Sequence, residues 1–164
     1  MAARDLPPWL DAVTWAWLRA PWALRCSPPL AVMGALWWLS SRQPQPHATS
    51  QLSAFLHNGA HVIAYATLAG FTWLALACAE QPRRRFWGAF LITVAYGVLD
   101  EVHQSYVPGR VSSIADLITD GTAAAMALAW LRHHLLREPR PAFRAVPWLS
   151  ACAAAVAFAT WGPW

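Results

Sequence analysis

The regular interruption of apolar runs is the feature that most restricts this chain. Stretches of about 17–21 residues with few charges alternate with short breaks rich in proline and arginine, and roughly 20 apolar residues in a helix are needed to cross about 30 Å of hydrocarbon. The stretches run from Trp22 to Ser41, Gly59 to Ala79, Phe86 to about Tyr106, Ile114 to Leu131 and Ala145 to Trp161. The expected fold class is therefore all-α, a polytopic transmembrane helix bundle of about five spans. Composition agrees: 57% of the residues are hydrophobic, 12% are charged and twelve are tryptophan, far from the balance of an ordinary soluble domain. In the first span, Arg25 and the pair Pro28, Pro29 leave a short clean core, LAVMGALWWL, so its first turn is expected at the interface. Residues 9–20, WLDAVTWAWLRA, set Trp and Leu beside Asp11 and Arg19, which suits an interfacial helix, with a poorly ordered tail as the alternative. Neither a basic leader nor a small-residue cleavage site is evident near the start, so the first span is expected to stay in the membrane. The stretches QPQPHATS and REPRPAFRAVP read as loops.

Arginine supplies every positive side chain, and its placement sets an orientation. Arg4, Arg19 and Arg25 precede the first span, Arg83, Arg84 and Arg85 join the second to the third, and Arg132, Arg137, Arg140 and Arg144 join the fourth to the fifth. Arg42 and Arg110 alone fall on the opposite side. Positive-inside asymmetry then places the N-terminus in the cytoplasm and the C-terminus outside, in a multi-pass protein. The pI of about 9.5 thus reflects topology and contact with the lipid bilayer, and no nucleic-acid partner is expected, because a basic groove with interleaved stacking aromatics is missing. Cys26, Cys78 and Cys152 have no CxxC spacing and read as small apolar filler, not as a disulfide or zinc site.

On this topology the sequence DEVHQSYVPGR, residues 100–110, brings Asp100, Glu101, His103 and Gln104 to the outer end of the third span. His57, His61 and Tyr65 share one face at the start of the second span, and Ser112, Asp116 and Asp120 share one face at the start of the fourth. VPGR fits a tight turn, with Pro108 fixing φ at the second position and Gly109 supplying φ > 0 at the third, which aims Arg110 back over the helix ends. Ionisable groups cost about 2.5–3.5 kcal/mol each at mid-membrane and less near the interface, so they are expected to face one another. Small residues permit the approach: Gly121, Ala125 and Ala129 in one helix, Ala66 and Gly70 in another. Spans two, three and four are therefore expected to pack around the cluster, with the first and last peripheral.

The order HxxxY, a short Arg-rich loop, YGxxDExxQxxxPGR and an Asp early in the next span resembles the VanZ-like family of bacterial membrane proteins. The resemblance covers about residues 36–131 and includes WLSS before the first outer loop. It implies a four-span core, here residues 22–136, after an N-terminal segment (1–21) and before a C-terminal loop and extra span (137–164). It also implies residence in the bacterial cytoplasmic membrane and characteristic polar positions at His61, Tyr65, Asp100, Glu101, Gln104, Arg110 and Asp116. The family's namesake is linked to low-level teicoplanin resistance. Where such proteins commonly carry Asp-Lys before the helix-two histidine, this chain has His57-Asn58.

Four readings of the site stand beside one another. The first is an extracytoplasmic polar pocket of His61, Tyr65, Asp100, Glu101, His103, Gln104, Arg110, Asp116 and Asp120 that binds a lipid-linked cell-wall precursor or a glycopeptide, without turnover and without a cofactor. Arg110 would hold an anionic group and the acids an amine. The second is a metal-dependent hydrolase or transferase acting on a lipid or envelope precursor, its divalent ion held by His61, Glu101, His103 and Asp116. The third is cation or proton movement, although no complete polar path runs through the inner halves of the spans. The fourth is a purely structural hydrogen-bond network.

Overall fold

The computed structural model describes residues 8–43, 51–77, 81–110, 112–136 and 145–161. Among them the chain is all-helical: α1 (Pro8–Arg19), α2 (Trp22–Ser40), α3 (Gln51–Ala75), α4 (Pro82–Ser105), α5 (Ile114–Leu136) and α6 (Ala145–Trp161), with no strand. By length and apolarity alone, Ile114–Arg132 is the one stretch among the described residues sufficient to cross a membrane, and Gly59–Ala75 is apolar but shorter. α4 falls outside that class because three arginines open it and DEVHQ closes it.

Helix ends follow local chemistry more than apolar length. α3 begins eight residues before the expected Gly59, and α5 runs on to Leu136, past Arg132. Hydropathy marks the greasy stretch, whereas the hydrogen-bond ladder continues through any good helix former until a breaker intervenes. Proline serves that purpose at the starts. Pro21 precedes α2 in extended backbone and Pro82 occupies the first turn of α4, where a missing N–H costs nothing. Within α2, Pro28 cannot donate to the Leu24 carbonyl; the Ser27 hydroxyl donates to it instead at 2.8 Å. Between α4 and α5 the Arg110 amide donates to Val107 O at 3.0 Å, and Gly109 has φ 81°, the left-handed conformation the turn requires.

The core lies along α3 and α5. Ala69 and Trp73 of α3, Ala89 of α4, and Ala124 and Leu128 of α5 form one fully buried cluster. Tyr65, Leu68 and Ala123 form a second, against which Val32, Met33 and Leu36 of α2 pack. Small residues allow these helices to approach as expected: the Cβ position of Gly70 lies 3.7 Å from Leu131 Cδ1, and that of Gly121 lies 3.9 Å from Val94 Cγ2. Ala123 and Ala124 are buried more deeply than Ala125 and Ala129, because α5 packs against α3, α4 and α6 at once.

α1 is tied to the far end of the bundle, where Trp17 Nε1 donates to Leu74 O at 3.0 Å. Arg85 closes the same end, donating from Nε to Trp73 O at 2.6 Å with its guanidinium over the Trp73 ring. α6 packs behind α5, with Thr119 Oγ1 donating to Ala155 O at 3.3 Å and Cys152 Sγ 3.5 Å from Met126 Sδ. Cys26 and Cys152 are free thiols, as their reading as filler requires; Cys78 and the side chain of His57 lie outside the described residues.

Candidate functional site

Consecutive residues of an α-helix point about 100° apart, so the acids of α4 serve different neighbours. Asp100 and Gln104, one turn apart, face α2. Asp100 is 1% exposed; its Oδ1 accepts from Ser40 Oγ at 2.6 Å and its Oδ2 from Gln104 Nε2 at 3.0 Å. Glu101 faces α5, where its Oε2 accepts the backbone N–H of Ser113 at 2.7 Å. Ser113 in turn caps α5, its Oγ accepting from the Ala115 amide at 3.1 Å. A capping box normally closes on an acid three residues into the same helix. Here Glu101 takes that role from α4 and fastens the two helices together. Asp116, relieved of it, stands half-buried in the first turn of α5, within electrostatic reach of His61 and Arg110.

His61 and Tyr65 reach the site from α3. His61 Nδ1 lies 3.2 Å from Asp120 Oδ1, and because a carboxylate only accepts, Nδ1 carries the proton. Below it the Tyr65 ring stacks at 5.9 Å and is fully buried. Gly97 of α4 admits both partners: its Cβ position lies 3.4 Å from Tyr65 Cε1 and 3.8 Å from Asp120 Oδ2.

The end of α2 completes the site, which corrects the expectation that the first span is peripheral. Besides the Ser40–Asp100 bond, Arg110 donates from Nη2 to Leu39 O at 3.2 Å and from Nε to Arg42 O at 3.3 Å. The turn after α4 thus clamps the end of α2, holding one carbonyl of its last turn and one just beyond its cap. Tyr96 adds a bond from its hydroxyl to Met33 O at 2.5 Å. His103 departs from the expected cluster. Its ring stacks on Trp37 at 3.8 Å and shares a 2.9 Å hydrogen bond with Ser41, on the outer side of α2.

These contacts frame an open cleft of about 300 Å³ lined by Leu36, Leu39 and Ser40 of α2, Ala60, His61 and Ala64 of α3, Asp100 and Gln104 of α4, and Arg110. Of the nine residues predicted for the pocket, His61, Asp100, Gln104 and Arg110 line it. Tyr65 and Asp120 lie beneath, Glu101 joins α4 to α5, Asp116 flanks the turn, and His103 packs outside. The sequence reading missed Ser40 and Gly97. The WLSS motif at a helix end pointed to the former, and the YG pair four residues before Asp100 and Glu101 to the latter.

The donor set weighed for a divalent ion, His61, Glu101, His103 and Asp116, is not assembled, since His103 turns to α2 while Glu101 engages Ser113. Among the described residues no group of three or more His, Cys, Asp or Glu is placed to hold a metal ion.

Neither the curated proteins nor the solved structures yielded a match to this chain. The VanZ/LLP1 family model does match, over residues 21–137, which takes in α2 through α5. Its span includes every residue lining the cleft, and on that match the chain belongs to the VanZ/LLP1 family.

Proposed function

We propose that this is a multi-pass protein of the bacterial cytoplasmic membrane, N-terminus inside and C-terminus outside, whose outward-facing cleft binds an anionic amphiphile such as a lipid-linked cell-wall component. Support for the membrane placement comes from an inverted distribution of polarity. Leu30, Ile63, Leu91, Leu99 and Ile114 are exposed, while Thr93, Asp100, Gln104, Thr119 and Asp120 are buried. Water disfavours exposed apolar faces of this kind, whereas hydrocarbon favours them and drives polar groups inward. The asymmetry of the arginines supports the orientation.

One observation carries the binding reading: the cleft pairs an apolar wall, formed by Leu36, Leu39, Ala60 and Ala64, with the guanidinium of Arg110 at its rim. Arg110 spends Nε and one terminal nitrogen on carbonyls at the end of α2 and just beyond it, leaving further donors of its planar fork for a phosphate or carboxylate. His61 on the inner wall supplies a polar contact for the rest of a headgroup. A glycopeptide effect in cells, as the family's name suggests, would follow from capture of an envelope precursor.

The competing reading is a purely structural network, favoured by the Ser40–Asp100–Gln104 and Glu101–Ser113 contacts. Ala60→Trp separates the two, because it fills the cleft from an exposed position and removes no polar contact. Native mass spectrometry of the detergent-purified protein with added polyprenyl phosphate is expected to show retained lipid in the parent and its loss in Ala60→Trp, at an unchanged melting temperature. Equal retention in both proteins, or no preference for polyprenyl phosphate over the neutral polyprenol, would sink the binding reading. Teicoplanin susceptibility of cells carrying either form then reports whether binding bears on resistance.

A further inference from the structure

Next to the cleft, three helices carry buried polar atoms that have no partner among the described residues. Tyr65 is 0% exposed, Asp120 1% and Glu101 9%. The Tyr65 hydroxyl, Asp120 Oδ2 and Glu101 Oε1 are all without a hydrogen-bond partner among the described residues. Each belongs to a side chain whose position is otherwise secured. Asp120 is held through Oδ1 by His61, Glu101 through Oε2 by the Ser113 amide, and the Tyr65 ring by packing against Leu68 and Ala123. The unpaired atoms are thus not free to swing toward the surface.

We infer that ordered water occupies this seam between α3, α4 and α5, bonded to the Tyr65 hydroxyl, Asp120 Oδ2 and Glu101 Oε1. Gly97 draws the groups together: lacking a side chain, it lets Leu117, Tyr65 Cε1 and Asp120 Oδ2 come within 3.2, 3.4 and 3.8 Å of its Cβ position, and Glu101 lies one turn along the same face of α4. The chemistry selects water. Two carboxylate oxygens can only accept and a phenol can donate, so water that gives its protons to the acids and takes one from Tyr65 completes all three. Buried waters typically make about three such bonds. A metal ion has a poorer claim, since no suitable donor group is present among the described residues. Left dry, each atom would bear the desolvation cost of an unpaired polar group in a low-dielectric interior. Through the two oxygens of Asp120 the water is linked to His61, so the inner wall of the cleft is backed by a hydrated polar chain.

Two measurements on the intact, detergent-purified protein test this. In hydroxyl-radical footprinting by X-ray radiolysis, bound water generates radicals in place. Tyr65 is expected to be labelled several-fold faster than Leu68 and Leu128, which are equally buried, after correction for intrinsic reactivity. Tyr65→Phe is expected to lower the melting temperature by about 2–4 °C, as loss of a satisfied hydroxyl does. Labelling of Tyr65 no faster than the two leucines would overturn the inference, as would a higher melting temperature for Tyr65→Phe, which is what removing an unsolvated hydroxyl produces.

Discussion

Ser40→Ala tests whether α2 belongs to the polar site or merely lies beside it. The Ser40 hydroxyl donates to Asp100 Oδ1 at 2.6 Å, and the two residues are 5% and 1% exposed. Its contact with Trp37 O is longer, at 3.2 Å, so the proton belongs to the carboxylate. Interhelical hydrogen bonds in membrane proteins are worth about 0.6 kcal/mol on average and reach about 1.7 kcal/mol. A short, buried, charge-assisted bond belongs at the top of that range, since its loss leaves one oxygen of a buried carboxylate unpaired. Ser40→Ala should therefore cost about 1.5 kcal/mol, or about 3–6 °C in melting temperature for a chain of this size. Ser41→Ala is the control, because Ser41 is exposed and its bonds to Trp37 O and His103 lie at the surface; its cost should stay below about 0.5 kcal/mol. Intrinsic fluorescence during heating reads both, with twelve tryptophans as reporters. A double-mutant cycle with Asp100→Asn should show coupling of about 1 kcal/mol. If Ser40→Ala melts no lower than Ser41→Ala, or the cycle shows no coupling, α2 is peripheral and the cleft has lost a wall.

Glu101→Ala should release the start of α5, speeding exchange of the Ser113 amide roughly tenfold or more, as loss of a buried charged acceptor worth about 1.5–3 kcal/mol implies. Glu101→Gln, which keeps a side-chain oxygen, should change it far less; equal exchange in Glu101→Ala and the parent would mean that the two helices are not fastened there. Gly109→Ala places a side chain at φ 81° and should cost about 1–2 kcal/mol, with an unchanged melting temperature showing that the turn relaxes. Gly97→Val would press branched methyls toward Leu117 and Tyr65, which already lie 3.2 and 3.4 Å from the Cβ position. An overpacking cost of about 1–3 kcal/mol is expected, and a melting temperature equal to the parent's would show the seam to be looser than drawn. In whole cells, a cysteine at Arg84 should react only with membrane-permeant thiol reagents and one at Gly109 also with impermeant ones; the reverse pattern would invert the proposed orientation.

Much of the local structure was legible in the sequence, because the relevant forces act over a few residues. The Pro108-Gly109 pair specifies its turn through φ alone, the apolar runs announce helices, and α6 has the bounds its hydropathy suggests. The polar residues could also be assigned to a common end of the bundle, since their distance along each helix is set by a rise of about 1.5 Å per residue. What the sequence left open was rotation and partnership. Whether Asp100 or Glu101 faces α5 depends on how α4 is turned about its axis, and packing decided that: Gly97 sits against Tyr65 and Leu117, which commits Glu101 to Ser113 and Asp100 to Ser40. His103, three residues from Asp100, then falls on the α2 side and leaves the cluster. The same packing brings Ser40, sixty residues away in the chain, onto Asp100. No local propensity encodes such a contact, because it exists only once the helices have docked and a buried carboxylate must find a donor.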